Sequence, residues 1–227
     1  MTGTGVAERR HGRSPTPLLV NLGSGQHGPQ TWVNFDRSPS MLLRRFPVAR
    51  GLLRRAGVIN EFQAQGWDPH IQRRDLVRPL PFAGGTVDAI YSSHFLEHVF
   101  LTEAETVLRE AYRVLRAGGI LRLALPDGER WARELVEAGD DPTGEAGRLY
   151  QERLGAHPDA RPTGRHGLTF GLGGFVHRWQ PTRGLVRSML QRAGFADTAE
   201  RKFREGELPD LDRIENREES FFYEARK

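Results

Sequence analysis

Short apolar runs alternate along the chain with stretches of helical periodicity. Leu18–Leu22 predicts a buried first strand, followed at once by Gly23-Ser24-Gly25. Thr31–Asp36 reads as a second strand ending in an acid, Ile71–Leu76 as a weaker third and Val87–Ser92 as a fourth. Ile120–Leu125 gives a fifth strand, and two late strands fall near Phe195–Phe203 and Ser220–Arg226. Strands separated by helical segments point to an α/β domain with a mainly parallel sheet.

The clearest helix spans Thr102 to Arg116. Thr102 and Glu105 have the spacing of a capping box, and Val107, Leu108, Ala111, Tyr112 and Leu115 recur as a core-facing stripe. Gly118-Gly119 reads as its left-handed C-terminal stop. A second helix is predicted from Pro181 to Arg192, with Pro at its first position and Gly194 beyond its end. Two stretches interrupt the alternation: 38–66, which contains Leu/Arg pairs, and 139–180, rich in Gly, Pro and His. Both read as cap or lid insertions, because long loops in compact domains are usually functional.

Composition narrows the class. Hydrophobic residues make up 37% and charged residues 27% of 227 residues, enough for one domain with a single core over 18–227. Residues 1–17 are small, polar and basic and read as a disordered leader. There is no cysteine, which removes disulfides, Cys-ligated zinc and thiol nucleophiles. With no signal-peptide core and no membrane-length apolar run, a cytoplasmic location is expected. The net charge of +4 comes from arginines scattered along the chain rather than gathered on one face, so no nucleic-acid partner is expected. The 41–59 segment is expected to be a helix packed on the sheet, with a lid or a basic surface for acidic lipids as the alternatives.

Gly23-Ser24-Gly25-Gln26-His27-Gly28 matches G-x-G-x-x-G directly after a strand, letting backbone approach a ligand closely. A dinucleotide is disfavoured. Asp36 follows the glycines too soon for the usual ribose acid, and Gly28-Pro29 leaves little room for the intervening helix.

Several segments in order carry a resemblance: Asn21-Leu22-Gly23-Ser24-Gly25, Trp32-Val33-Asn34-Phe35-Asp36, and Asp75 before Pro79-Leu80-Pro81-Phe82. The stretches Val87–His98 and Leu108–Gly119 continue it. Over roughly residues 18–127 the chain resembles the class I S-adenosylmethionine-dependent methyltransferases. The resemblance implies a Rossmann-like, seven-stranded, mostly parallel sheet with helices on both faces and an antiparallel last strand. It implies S-adenosylmethionine as cofactor, cradled by Asn21, Gly23, Ser24 and Gly25. Asp36 would meet the ribose hydroxyls, Asp75 the adenine amino group and Leu76 the ring, with Ser92 and His94 completing the set. The chain departs from the family pattern where many relatives have an acid at Asn21, at Ala117 in place of Pro, and at Pro29 after the third glycine.

His94-Phe95-Leu96-Glu97-His98 also spells H-x-x-E-H, a zinc-hydrolase signature. That chemistry wants a long helix, whereas here the motif follows a strand and precedes a new helix, so no metal site is expected. The expected reaction is methyl transfer to oxygen, nitrogen or carbon of a small-molecule acceptor, in a biosynthetic setting. His94, His98 and His177 are the candidate bases, since imidazole titrates near neutrality. Segment 139–180, with His157, His166 and His177, is expected to be the acceptor lid, His177, Arg178 and Trp179 facing the cleft. A cofactor-binding protein without methyl transfer is the alternative from another class, with a zinc hydrolase behind it.

Overall fold

The computed structural model describes residues 16–59, 61–154 and 176–227. Among these, seven strands form one sheet: β1 Leu19–Leu22, β2 Val33–Asp36, β3 Gln72–Arg73, β4 Val87–Ser93, β5 Leu115–Pro126, β6 Asp197–Arg201 and β7 Ser220–Arg226. Their spatial order is β3-β2-β1-β4-β5-β7-β6. β7 runs antiparallel to both of its neighbours, and the strands from β3 through β5 pair in parallel. The helices are α1 Pro47–Arg55, α2 Glu61–Ala64, α3 Leu101–Val114, α4 Gly128–Glu137, α5 Glu145–Leu154, α6 Arg183–Ala193 and α7 Leu211–Ile214.

β1 is buried at every position because it lies between β2 and β4 with both faces covered. On one face, α3 and α6 pack Val107, Leu108, Ala111, Met189 and Leu190 against Val20, Leu22 and Ile90. On the other, Trp32, Tyr91, Phe222, Leu211 and Ile214 form a smaller cluster. The alternation of side chains along each strand supplies both layers.

Several expectations need correction. α3 starts at Leu101, and its first turn is held by Glu103, whose carboxylate accepts the Phe100 amide at 2.8 Å. Thr102 and Glu105 therefore form no capping box; Glu105 pairs with Arg192 at 2.6 Å instead. The helix ends at Val114, and Gly118-Gly119 lies inside β5. The β4–β5 register shifts there, Val87 pairing with Leu115 but Ala89 with Ile120, and Gly118 takes φ +73°. A Cβ on Gly119 would sit 3.1 Å from the Asp88 carbonyl oxygen, so the glycines serve a bulge in the sheet. Pro181 precedes the cap of α6, which is Thr182. α1 buries no residue, and Leu52 is 63% exposed, so this segment is not a helix packed on the sheet. Only Met41, just before it, enters a small cluster with Trp67 and Ile71.

Two polar anchors fix the half of the sheet around β5 and β7. Arg122, on β5, is fully buried and donates to Glu215 at 2.7 and 3.1 Å and to the carbonyls of Lys202 and Glu205. Its guanidinium also lies 4.9 Å from the Phe222 ring centre. Asp127 caps α4 by accepting the Arg130 amide, and it takes two hydrogen bonds from Arg183 at 2.9 and 2.8 Å. Burial works against ionisation of Asp127, but the Arg183 guanidinium and the Arg130 amide outweigh it and hold its pKa below the usual carboxylate range.

Glu215→Ala leaves the buried Arg122 guanidinium with Glu224 at 3.5 Å as its one remaining carboxylate among the described residues and should destabilise the protein by about 3 kcal/mol in urea unfolding; a loss below about 1 kcal/mol would show that Glu224 suffices. Asp127 sets a pH test. Because its folded pKa is depressed, its contribution is complete above the unfolded value of about 3.9 and lost as pH falls from there through the folded value. Asp127→Asn should be less stable at pH 7, and the gap should close in acid; an unchanged gap at pH 2 would contradict the assignment.

Candidate active site

The carboxyl ends of β1, β2 and β4 open into a cleft of about 1000 Å³. Open parallel sheets bind ligands at this edge, where strand order reverses between β1 and β4. The strands place their loops there in three groups.

The first group is the turn after β1. Gly23 and Gly25 take φ +74° and +67°, a region that costs an L-residue energy and glycine nothing. The Gly23 and Ser24 amides donate to the Phe35 carbonyl at 2.9 and 3.0 Å, and the Gly25 amide donates to Asp36 Oδ2 at 2.9 Å. A Cβ on Gly23 would lie 2.6 Å from Phe95 Cβ, whereas one on Gly25 would project into open space. The third glycine, Gly28, is required for a different reason: a Cβ there would strike Asn34 Oδ1 at 2.2 Å. Asn21 is buried at the floor, its amide nitrogen donating to Asn34 Oδ1 at 3.1 Å.

The second group follows β2 and β3. Asp36 is 8% exposed, yet it lines the cleft, and its other oxygen accepts the Ser38 amide at 2.7 Å. Each carboxylate oxygen has two lone pairs, so both keep capacity for a diol. β3 is only two residues long, so Asp75 sits in the turn beyond it. There its Oδ2 is paired with Arg37 at 2.6 Å, and Leu76 is buried beside it in the cleft wall.

The third group is the turn leaving β4. Ser92 is buried and donates to the Leu22 carbonyl at 3.1 Å, while its neighbour Ser93 lines the cleft. The sequence-based assignment of Ser92 is one position off, because alternate residues of a strand face opposite sides. His94 takes φ +46°, uncommon outside glycine, and its amide donates to the Ala124 carbonyl. Its Nε2 contacts Ser220 Oγ at 2.7 Å and its Nδ1 faces Glu97 Oε1 at 3.4 Å. Burial, with the Arg217 charge behind it, pushes the His94 pKa down to about 3, so its ring is neutral at pH 7. With Nε2 engaged by Ser220 and this low basicity, His94 is poorly disposed to take a proton. Burial pushes the Glu97 carboxyl up to about 8.

Residues 176–180 are stitched to this turn. Arg178 donates its amide to the Glu97 carbonyl at 2.7 Å and Nε to the His98 carbonyl at 3.1 Å. The Trp179 indole donates to the Leu96 carbonyl at 3.0 Å. His98 and His177 stack with ring centres 5.1 Å apart, and burial lowers the pKa of both. His98 and Arg178 line the cleft, whereas His177 lies behind His98 and Trp179 packs on the main core. The expected cleft-facing trio is thus reduced to Arg178. His157, His166 and the rest of 155–175 lie outside the described residues, as does nearly all of the leader.

Arg213, on α7, and Asn216 and Arg217, from the loop between α7 and β7, also line the cleft. The sequence reading missed them; Arg213 and Arg217 lie in a charged stretch that looks like solvated surface until β7 is paired in the middle of the sheet. No helix among the described residues is long and apolar enough to cross a membrane.

Comparison with known proteins agrees with this geometry. Residues 20–123 match the family model described as a methyltransferase domain. A solved S-adenosylmethionine-dependent methyltransferase from Archaeoglobus fulgidus superposes with TM-score 0.51 at 14% identity, over 95% of this chain and 88% of that one. One from Methanosarcina mazei gives 0.50 at 16%, over 95% and 94%. The chain spans about half of two longer matches, 53% of a Nostoc punctiforme protein described as an O-methyltransferase and 51% of the methyltransferase SibL. No curated protein matches by sequence. The family-model match covers 104 of the 227 residues, and the solved structures show that the chain has the fold of S-adenosylmethionine-dependent methyltransferases. Its cleft fits that cofactor: a backbone cradle open at Gly25 and an acid with spare lone pairs at the end of β2 lie side by side.

Cofactor affinity tests this fit. Asp36→Ala should weaken S-adenosylmethionine and S-adenosylhomocysteine binding by about 1.5–3 kcal/mol in calorimetry. Gly25→Val should abolish it, and because Val is strained at φ +67° the variant should also melt at a lower temperature while keeping its circular dichroism. Unaltered binding in both variants would remove the glycine turn from the cofactor site.

Proposed function

We propose that this protein transfers the methyl group of S-adenosylmethionine to a small-molecule acceptor carrying an acidic group, as one step of a biosynthetic pathway. The observation that carries this reading is one cleft lined at one end by Gly23, Gly25 and Asp36 and at the other by His98, Arg178 and Arg217. The cofactor supplies an electrophilic methyl on a sulfonium, which passes to an acceptor lone pair as the sulfur–carbon bond breaks.

The protein's part is placement and the handling of charge. The glycine turn and Asp36 hold the nucleoside, and Phe95, packed on Gly23, bounds the floor where the two halves meet. Arg178, stacked 4.2 Å over the Phe100 ring, keeps its guanidinium at the cleft rim, where it can take a carboxylate or phosphate of the acceptor. Val99 and Leu42 add apolar wall. Such alignment converts an encounter into an intramolecular event, worth a large share of the rate. The acceptor's proton, where it has one, leaves on the side formed by His98. Its Nδ1 faces the Val176 carbonyl at 3.3 Å and so carries the hydrogen, which leaves Nε2 with a free lone pair.

The test is formation of S-adenosylhomocysteine across a panel of hydroxylated and aminated acids. His98→Ala should lower kcat roughly 100- to 10,000-fold while cofactor affinity holds, and Arg178→Ala should raise KM for the anionic acceptor. Tight cofactor binding with no turnover on any acceptor would favour the non-catalytic binding protein. Wild-type kcat in His98→Ala would remove His98 from the reaction.

A further inference from the structure

Glu97 is fully buried, and neither of its carboxylate oxygens has a hydrogen-bond partner among the described residues. The nearest polar group recorded for it, His94 Nδ1, lies 3.4 Å away. A buried carboxylate without partners costs several kcal/mol, so native proteins pair such groups or use them as ligands. Here the oxygen does not stand alone. One ligating atom each from Glu97, His98 and His177 lies within 4.8 Å of the other two.

The protonation pattern of these groups is informative. His98 Nδ1 is turned to the Val176 carbonyl, so its hydrogen is committed there and Nε2 offers a lone pair. His177 Nδ1 is buried and has no partner among the described residues. Three potential ligand groups from two segments thus lie close together; the Arg217 charge reaches Glu97 and His98, but its recorded ion pair is with Glu219 at 3.9 Å. Arg178, the adjacent cation, is directed to the His98 carbonyl and the Phe100 ring instead.

We propose that Glu97, His98 and His177 form a binding site for one divalent transition-metal ion of the zinc type. Two imidazoles and one carboxylate suit zinc, cobalt, manganese or iron far better than calcium or magnesium, which prefer oxygen ligands. Ligands about 2.0–2.2 Å from a tetrahedral zinc lie roughly 3.4 Å apart, so side-chain movements of about 1 Å close the cluster onto an ion. The Val176 carbonyl orients His98 as outer partners orient metal-bound histidines. Three protein ligands leave a further coordination position, as in catalytic rather than structural sites. Of the three ligands His98 lines the cleft, and the open position is placed on that side.

The role assigned to the ion rests on the functional reading above. A bound cation would take the His98 lone pair, hold an acceptor hydroxyl and lower its pKa, so that the proton leaves to water and the alkoxide attacks the methyl carbon. This narrows the acceptor atom to oxygen. It also explains why the H-x-x-E-H reading failed to find the site. That signature needs His94 and His98 on one long helix, whereas here the turn at Leu96–His98 is a single 3₁₀ turn that offers Glu97 and His98, with the third ligand supplied from residue 177.

The experiment needs neither cofactor nor acceptor. The full chain is stripped with chelator, loaded with zinc, dialysed against metal-free buffer and analysed for metal. About one equivalent per chain should remain and raise the melting temperature. The cobalt-loaded protein should show visible absorption bands of a nitrogen- and oxygen-ligated low-coordinate site. Glu97→Gln and His177→Ala should lose the ion at least tenfold more readily, while keeping their circular dichroism and S-adenosylhomocysteine affinity. Zinc well below one equivalent in the wild type, or a cobalt spectrum of fully hydrated ion, would overturn the site. So would retention of metal by both variants, which would trace it to surface histidines. If the variants do not fold, the wild-type loading and cobalt spectrum decide alone. Loss of cofactor binding in the wild type would instead strike the methyltransferase reading and leave the metal measurement standing.

Discussion

The Asp36 carboxylate is the hinge of the cofactor half of this molecule. One oxygen accepts the Gly25 amide and the other accepts the Ser38 amide, so a single side chain ties the turn after β1 to the turn after β2. That tie sets the positive φ angles at Gly23 and Gly25, which in turn let the backbone lie against Phe95 with no Cβ between them. Phe95 then fixes the path of the turn leaving β4, and with it Leu96, Glu97 and His98. A change at Asp36 would be felt through this chain of contacts at the opposite end of the cleft. Asp36 is thus a pin that still lines the cleft with spare lone pairs on its oxygens.

The acceptor half is built differently. It depends on buried polar groups: Arg122 with Glu215 and Glu224, Asp127 with Arg183, and Glu97 without a hydrogen-bond partner among the described residues. Replacing a buried ion pair by apolar side chains is often neutral or stabilising, so such pairs are weak evidence of selection for stability alone. Their value here is positional. Arg122 reaches from the middle strands to the carbonyls of Lys202 and Glu205, and Glu215 lies next to Asn216 and two residues before Arg217. A hydrophobic contact would bury as much surface but would not fix the direction in which that loop presents its cations.

The strands and their order were legible because fully buried runs such as Leu18–Leu22 and Ile120–Leu125 have little alternative use. The antiparallel β7 came from the family resemblance rather than from pattern. Errors gathered where tertiary pairing overrides local preference. Leu115–Gly119 has the composition of a helix end, yet β4 pairs with Leu115 and draws the segment into the sheet. The Leu/Arg stripe of α1 has core-like periodicity but no apolar surface opposite it. In the site, Gly23, Gly25 and Asp36 could be placed from short-range signals, a glycine turn and a strand-terminal acid. Ser93 rather than Ser92 depends on strand register, which a single sequence leaves open by one residue. The meeting of His98 with His177 depends on chain closure across 78 intervening positions, for which no local signal exists.

The two halves also answer different electrostatic demands. Methyl transfer from a sulfonium to an anionic or neutral nucleophile removes or spreads positive charge, and a site that excludes water favours that change. Two of the arginines that line the cleft are tied back. Arg37 is neutralised by Asp75 at 2.6 Å, and Arg178 is held over Phe100 at the rim. The side of the cleft after β4 instead carries rings that burial keeps uncharged, His94 above all. Under the functional reading proposed above, a neutral imidazole with an open nitrogen, as at His98 rather than His94, can take a proton or a metal ion. A permanently charged arginine at the same place could do neither, because its guanidinium has no lone pair to offer.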